Sequence, residues 1–216
     1  MERKLSISIY AGAFVISLAI FILGIYIGTL IDSSNIELLS EEVSSISGRM
    51  ASLQVLLLGG DNESFCPVYT SELSEMDREI EDIGYKLSFL EDERNVYDAE
   101  LKKKYFLLEA QSYLLSQKAQ ELCGDDSTLL INFYSNKDCD RCREQGTEVL
   151  KARDTLASEG ISLKLFSFDG ELGSPVAEAF EDQYGISTYP SIVINEQTYS
   201  GFRSSEELEA LVRDAQ

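Results

Sequence analysis

The sequence predicts a chain of three parts, in which an α/β domain follows a membrane-spanning helix and a helical stalk. Three observations predict it. Residues 5–31 carry no charged side chain, and apolar side chains recur every three or four positions between residues 36 and 122. From residue 128 onward, strand-like runs alternate with helix-like runs. We therefore divide the chain into a cytoplasmic N-terminus (1–4), a transmembrane helix (5–31), a stalk (32–123) and an α/β domain (124–216).

Composition excludes several classes of function. The 216 residues include no histidine, which removes Ser-His-Asp and Cys-His catalytic sites and histidine-based metal sites. There is no glycine-rich phosphate loop. The formal net charge is −20, so nucleic acid is not expected as a partner. We expect neither a bound cofactor nor a metal.

Residues 5–31 exceed the roughly 20 residues that cross a bilayer. Basic Arg3 and Lys4 precede this segment, and Asp32 follows it. The positive-inside rule then predicts a single-pass protein of the cell membrane, with the N-terminus in the cytoplasm and everything after Asp32 outside. The alternative is a cleaved signal peptide, whose apolar region is shorter, about 7–15 residues. Gly24 and Gly28 form a GxxxG motif that could pair two such helices in a homodimer.

The stalk is predicted to contain helices over about 34–58, 67–92 and 96–122. Each has a heptad seam, and these seams could pack within one chain or against a second copy. The sequence Gly59-Gly60-Asp61-Asn62 ends the first helix, and Pro67 suits the first turn of the second. The turn near Asn95 contains no glycine or proline, so one long helix over 68–122 is the alternative. The seams are Ile36, Leu39, Val43, Ile46, Met50, Leu53 and Leu57; then Tyr69, Leu73, Met76, Ile80, Ile83, Leu87 and Leu90; then Leu101, Tyr105, Leu108, Ser112, Leu115, Ala119 and Leu122.

Two cysteines flank the predicted hairpin. If the chain turns near Asn95, Cys66 and Cys123 come together, and a disulfide between them would persist outside the cytoplasm. Such a Cys66–Cys123 bond would be either a structural clasp or a relay that exchanges electrons with Cys139 and Cys142. The path of the three helices would place Cys66 and Cys123 at the distal end of the stalk, close to the start of the α/β domain. Unpaired thiols or intermolecular bonds are the remaining alternative.

The α/β domain is predicted to follow the order strand, helix, strand, helix, strand, strand, helix. Its strands are expected at 128–134, 161–168, 191–194 and 197–200, and its helices at 144–157, at 175–184 and from Ser204 onward.

The motif Cys139-Asp140-Arg141-Cys142 separates the first strand from the first helix of this domain. Two cysteines at this spacing can interconvert between a dithiol and a disulfide, and the helix start favours a thiolate. Asp138 and Asp140 oppose the thiolate, whereas Lys137, Arg141 and Arg143 favour it.

With these features, residues 127–214 resemble the thioredoxin superfamily. The resemblance is carried by the strand–CxxC–helix unit, by Gly185-Ile186-Ser187-Thr188-Tyr189-Pro190-Ser191 before a strand, and by Gly201 before a serine-led helix. It implies a mixed four-stranded sheet with flanking helices. It also implies that Pro190 is cis and faces the cysteines, with Thr188, Tyr189 and Pro190 contacting substrate.

The resemblance further implies that Cys139 is the nucleophile and that Cys142 resolves the mixed disulfide. Four residues depart from the family pattern: Asp138 replaces an aromatic residue, Asp140 and Arg141 lie between the cysteines, and Asn132 stands where thioredoxin has a buried acid. The implied protein is a membrane-anchored extracytoplasmic thiol-disulfide oxidoreductase that acts on protein thiols or disulfides and could use a membrane redox partner. Oxidase, reductase and isomerase all fit. A binding module with a structural Cys139–Cys142 bond and a thiolate metal site are the competing interpretations.

Overall fold

The computed structural model describes residues 7–59 and 62–215. Residues 1–4, the first two residues of the predicted membrane helix, and Gly60 and Asp61 of the predicted Gly59–Asn62 turn lie outside this range. The elements are α1 (Ile7–Gly59), α2 (Asn62–Arg94), α3 (Ala99–Cys123), β1 (Thr128–Tyr134), α4 (Cys142–Ser158), β2 (Leu163–Asp169), α5 (Pro175–Tyr184), β3 (Ser191–Ile194), β4 (Gln197–Ser200) and α6 (Ser205–Asp214).

Helix α1 runs without a break through both the predicted membrane span and the first stalk helix. Its part from Tyr10 to Gly28 has a mean hydropathy of 2.3 and buries none of its residues against the rest of the chain. This part is long and apolar enough to span a bilayer. The pairing of two copies through Gly24 and Gly28 stays a prediction.

Beyond the apolar part, α1 packs with α2 and α3 in a three-helix bundle. The heptad seams form its interior: Met50, Tyr69, Leu73 and Met76 are fully buried. The first seam therefore packs on the hairpin of its own chain.

Two separate helices, α2 and α3, occupy the region where a single long helix was the alternative. Asn95 takes a left-handed conformation at the turn, with φ 53°. Asp98 then caps α3 by accepting a hydrogen bond from the backbone N–H of Leu101 at 2.9 Å.

The sheet has the strand order β2-β1-β3-β4. Strand β1 is parallel to β2 and antiparallel to β3, and β4 pairs antiparallel with β3. The predicted mixed four-stranded sheet with flanking helices is confirmed. Alternation along β1 separates its two faces: Leu129, Ile131 and Phe133 pack with α3 and α5, whereas Leu130 packs with α4 and α6.

Helix α3 joins the bundle to the sheet. Phe106 of α3 contacts Phe168 of β2 edge-to-face, with ring centroids 5.5 Å apart. Tyr113 makes similar contacts with Phe166 and Phe180. Because α3 buries one side in the bundle and another against the sheet, the two parts share one continuous core.

Candidate functional site

The candidate site lies at the start of α4, where Cys139 and Cys142 form a disulfide with their Cα atoms 5.5 Å apart. The two cysteine residues differ in exposure. Cys142, the first residue of α4, is 6% exposed, whereas Cys139 in the preceding turn is partly exposed. The backbone N–H of Ser135 donates to Cys142 Sγ at 3.4 Å. An incoming sulfur can therefore reach Cys139 more easily than Cys142.

The loop between β1 and α4 is held by hydrogen bonds to the last residue of β2 and to the segment that follows it. The side-chain amide of Asn136 donates to Asp169 at 3.0 Å. The Ser135 hydroxyl donates to the Glu171 carboxylate, and Lys137 Nζ donates to the Glu171 carbonyl at 3.2 Å. These contacts hold the loop that leads to Cys139 against the carboxyl end of β2.

The Tyr189–Pro190 peptide bond is cis. Its position follows from the sheet register: Ser191, the first residue of β3, lies opposite Phe133 near the end of β1. Pro190 is buried, and its carbonyl accepts a hydrogen bond from Gly201 N–H at 2.9 Å. The bend therefore lies at the carboxyl end of β1, where the loop to Cys139 begins. Thr188 is exposed at the same bend.

Tyr189 is anchored by a residue that the sequence did not single out. Its hydroxyl donates to the Glu181 carboxylate of α5. A Cβ atom at Gly170 would overlap both of these groups, so Gly170 makes room for their contact. Burial raises the pKa of Glu181 and also that of Tyr189. Nothing in the spacing of Glu181 or Gly170 along the chain signalled this contact.

Arg141, between the two cysteines, stacks on Phe202. The guanidinium carbon lies 3.4 Å from the ring centroid, and the Arg141 side chain also pairs with Glu144 at 2.9 Å. One residue further along α4, fully buried Gln145 makes two hydrogen bonds to the backbone of Arg203, at 3.1 and 2.7 Å. The start of α4 is thus fastened to the loop after β4. Gly201 was noted in the sequence, but neither Phe202 nor Gln145 was.

No carboxylate lies at position 132. Asn132 is 5% exposed, and β1 alternation places it on the α4 face together with Leu130. Its Oδ1 makes no hydrogen bond within the described residues. An amide cannot accept the proton of a resolving thiol, so this face lacks the acid that the resemblance implies.

A buried carboxylate lies instead on the opposite face of the sheet. Glu109 of α3 accepts hydrogen bonds from the Tyr105 hydroxyl and from the Ser167 backbone N–H. Burial raises the pKa of Glu109 to about 7. The heptad pattern of α3 does not mark Glu109, because only apolar positions define the seam.

Cys66 and Cys123 form a disulfide with their Cα atoms 5.4 Å apart. This bond lies just before the amino end of β1, whereas Cys139–Cys142 follows its carboxyl end. The seven residues of β1 span about 20 Å. Cys66–Cys123 closes the distal end of the stalk, as expected, and the two disulfides lie at opposite ends of the sheet, so direct exchange between them is disfavoured.

Comparison with solved structures finds thioredoxin-family proteins. A chloroplastic thioredoxin z is 17% identical over 46% of this chain and 87% of its own, with a TM-score of 0.35. The first thioredoxin domain of mouse protein disulfide-isomerase A4 is 26% identical over 44% of this chain and 68% of its own, with a TM-score of 0.34. Mitochondrial thioredoxin 3 from Saccharomyces cerevisiae is 14% identical over 46% of this chain and 89% of its own, with a TM-score of 0.32. No family model matches the chain, and no curated protein is significantly similar to it.

The mixed four-stranded sheet, the disulfide at the start of α4 and the cis bond before β3 all agree with the expected architecture. The C-terminal part of this chain therefore has a thioredoxin-like fold.

Proposed function

We propose that this protein is a membrane-tethered, extracytoplasmic thiol-disulfide oxidoreductase that acts on protein substrates through Cys139 and Cys142. The observation that carries the proposal is the unequal access of the two sulfurs at a helix start beside a cis-proline bend. A disulfide that only stapled the helix would not need one sulfur to be reachable.

The chemistry needs only the two cysteines and a second dithiol or disulfide. In the oxidising direction, a substrate thiolate attacks Cys139 Sγ, and the Cys139–Cys142 bond breaks to leave a Cys142 thiolate. A second substrate thiolate then attacks the substrate sulfur of the mixed disulfide and releases Cys139. Two electrons pass from substrate to protein, and the substrate disulfide forms. The reducing direction is the same sequence in reverse.

Local groups support the thiolates that this exchange creates. The Ser135 N–H already points at Cys142 Sγ, and the amides of the first α4 turn carry partial positive charge. Two residues from Cys139, the Arg141 guanidinium stacks on Phe202 and pairs with Glu144. Arg141, Asp138 and Asp140 are all exposed, so solvent screens their charges alike, and the helix start is the main support for a Cys139 thiolate.

Trapping tests this proposal. Full-length protein carrying Cys142→Ala should accumulate mixed disulfides through Cys139 in the membranes of its host cell, visible on non-reducing gels and lost on reduction. The Cys139→Ala/Cys142→Ala double variant is the matched control and should show none. If Cys142→Ala traps nothing, and the wild-type disulfide also fails to oxidise a dithiol peptide, the pair is a structural staple.

Topology is tested separately with a membrane-impermeant maleimide. After mild reduction, Cys139 should be labelled in intact cells without permeabilisation. A chain that is labelled only after lysis would contradict the extracytoplasmic placement.

A further inference from the structure

We infer that the Cys139–Cys142 site faces the membrane, and that its redox partner is a membrane-integral protein carrying a cysteine pair at the bilayer surface. This inference rests on the proposed function and adds the class of partner. It follows from the direction in which each helix runs.

Helix α2 returns toward the apolar part of α1. Lys86 of α2 pairs with Glu42 of α1 at 3.0 Å, and Arg49 pairs with Glu79 at 2.7 Å. Residue numbers thus rise along α1 as they fall along the contacting residues of α2, so the two helices are antiparallel. Six residues further along α2 is Asp92, and six residues back along α1 is Ile36. The end of α2 therefore lies at the level of Ile36.

Helix α3 then runs parallel to α1, away from the apolar part. Lys104, near its start, lies 3.5 Å from the Ser40 hydroxyl of α1. The turn between α2 and α3 is consequently the part of the bundle nearest the predicted membrane span. Tyr97 in this turn is 54% exposed, and exposed tyrosines are common at a membrane–water interface.

Helix α4 is aligned by two ion pairs with α2. Arg143, directly after Cys142, pairs with Asp92 at 3.1 Å, and Arg153 pairs with Glu81 further along. Helix α4 therefore runs antiparallel to α2, with its first turn beside the end of α2. The disulfide at that first turn therefore lies at the end of the bundle nearest the apolar part of α1.

The two disulfides lie at very different distances from the predicted membrane span, measured along the axis of α1. Ile36 is five residues beyond Ile31, where the predicted span ends, which corresponds to a rise of about 8 Å. Cys66–Cys123 closes the far end of the bundle, near the level of Gly59, about 40 Å beyond Ile31. The redox site is thus the membrane-proximal disulfide.

The gap beneath the end of α2 is about 8 Å counted from Ile31, or about 12 Å counted from Gly28, where the apolar part of α1 ends. Either distance is smaller than a folded domain, which has a radius of gyration of about 13 Å at 100 residues. A folded soluble domain therefore does not fit beneath the site, whereas cysteines on a short loop at the surface of a membrane protein are already at the right height. Tethering two such proteins in one membrane also raises the effective concentration of each for the other.

Raising the site above the membrane tests this inference. An 18-residue helical insert of Ala, Glu and Lys between Ile31 and Asp32 adds five turns, or about 27 Å, and leaves the heptad seam intact. In the full-length Cys142→Ala background, this insert should reduce mixed disulfides with carbonate-resistant membrane proteins about tenfold or more. The same insert placed after Gln216 is the control and should change nothing.

Oxidation of a soluble dithiol peptide by the otherwise wild-type protein with the insert should keep its normal rate, which shows that the site remains intact. The membrane-facing assignment would be overturned if membrane proteins were still trapped equally well with the insert, or if only soluble proteins were trapped. Either result would leave the proposed function standing. If neither the trap nor the peptide reacts even without the insert, the proposed function fails and this inference fails with it.

Because the chain contains no tryptophan, single-tryptophan variants can report the orientation directly. In liposomes with dansyl-labelled headgroups, Tyr97→Trp should transfer energy strongly and Leu122→Trp weakly. The reverse order would contradict the inferred orientation.

Discussion

The Glu109 carboxylate of α3 accepts a hydrogen bond of 2.7 Å from the backbone N–H of Ser167 in β2. Strand β2 lies at an edge of the sheet, where backbone donors lack a neighbouring strand. The helix that completes the bundle thus also satisfies the edge of the sheet. Since Glu109 is buried, its ionisation is coupled to folding.

Replacing Glu109 with Gln should remove a pH dependence of stability. The folded pKa is about 7, whereas the ordinary value is 4.5. Between these values the folded state binds more protons than the unfolded state, so the free energy of unfolding falls as pH rises from 4.5 to 7. The difference is up to about 3 kcal/mol. Denaturant unfolding of the detergent-solubilised chain at pH 5 and pH 8 measures it.

Glu121→Gln is the matched control, because Glu121 lies on the same helix and is exposed. It should leave the pH profile of the wild type unchanged. If Glu109→Gln shows the same slope as the wild type, burial of the Glu109 carboxylate is not coupled to folding.

Removing the Cys66–Cys123 bond should lower stability without abolishing exchange at Cys139. The bond links residues 57 positions apart, and a loop of this length constrains the unfolded chain by about 4 kcal/mol. We expect Cys66→Ser/Cys123→Ser to lower the free energy of unfolding by about that amount and to oxidise a dithiol peptide at the wild-type rate. A folded variant that still oxidises one equivalent of peptide, but whose reduced Cys139–Cys142 pair is no longer reoxidised in the membranes of its host cell, would support the relay.

Gln145→Ala should destabilise the start of α4. The variant leaves the N–H and C=O of Arg203 without the side-chain partners that now bind them, at a cost of about 2–3 kcal/mol. Thr147→Ala, at an exposed position of the same helix, should cost well under 1 kcal/mol. Equal effects of the two variants in denaturant unfolding would show that the Gln145 contacts do not hold the helix in place.

Gly170→Ala should slow exchange with peptide substrates. The added Cβ would displace the Tyr189 hydroxyl and its Glu181 partner, and so shift the residue before Pro190. Misplacing a substrate-positioning group can reduce a rate by about tenfold or more. Stopped-flow measurement of peptide oxidation compares this variant with Gly146→Ala, whose Cβ meets no atom within 4 Å. Identical rates for the two would remove Tyr189 from the substrate path.

Features that depend on near neighbours in the chain were predictable. The heptad seams, the strand–CxxC–helix unit and the sequence around Pro190 are local patterns, and the mixed sheet followed from the resemblance that they carry. Glu181, Phe202 and Gln145 could not be predicted, because each acts on a residue from another element. Gln145 and Arg203, for example, are 58 positions apart.

The order of residues along the chain decided which segment is apolar enough to span a bilayer and which two cysteines stand at a helix start. These properties come from composition and periodicity within one element. Only packing decided that the Cys139–Cys142 bond lies at the end of the bundle nearest the apolar helix and that Cys66–Cys123 lies at the other. That outcome depends on the helix register set by contacts such as Arg143–Asp92, and no short stretch of sequence contains both partners.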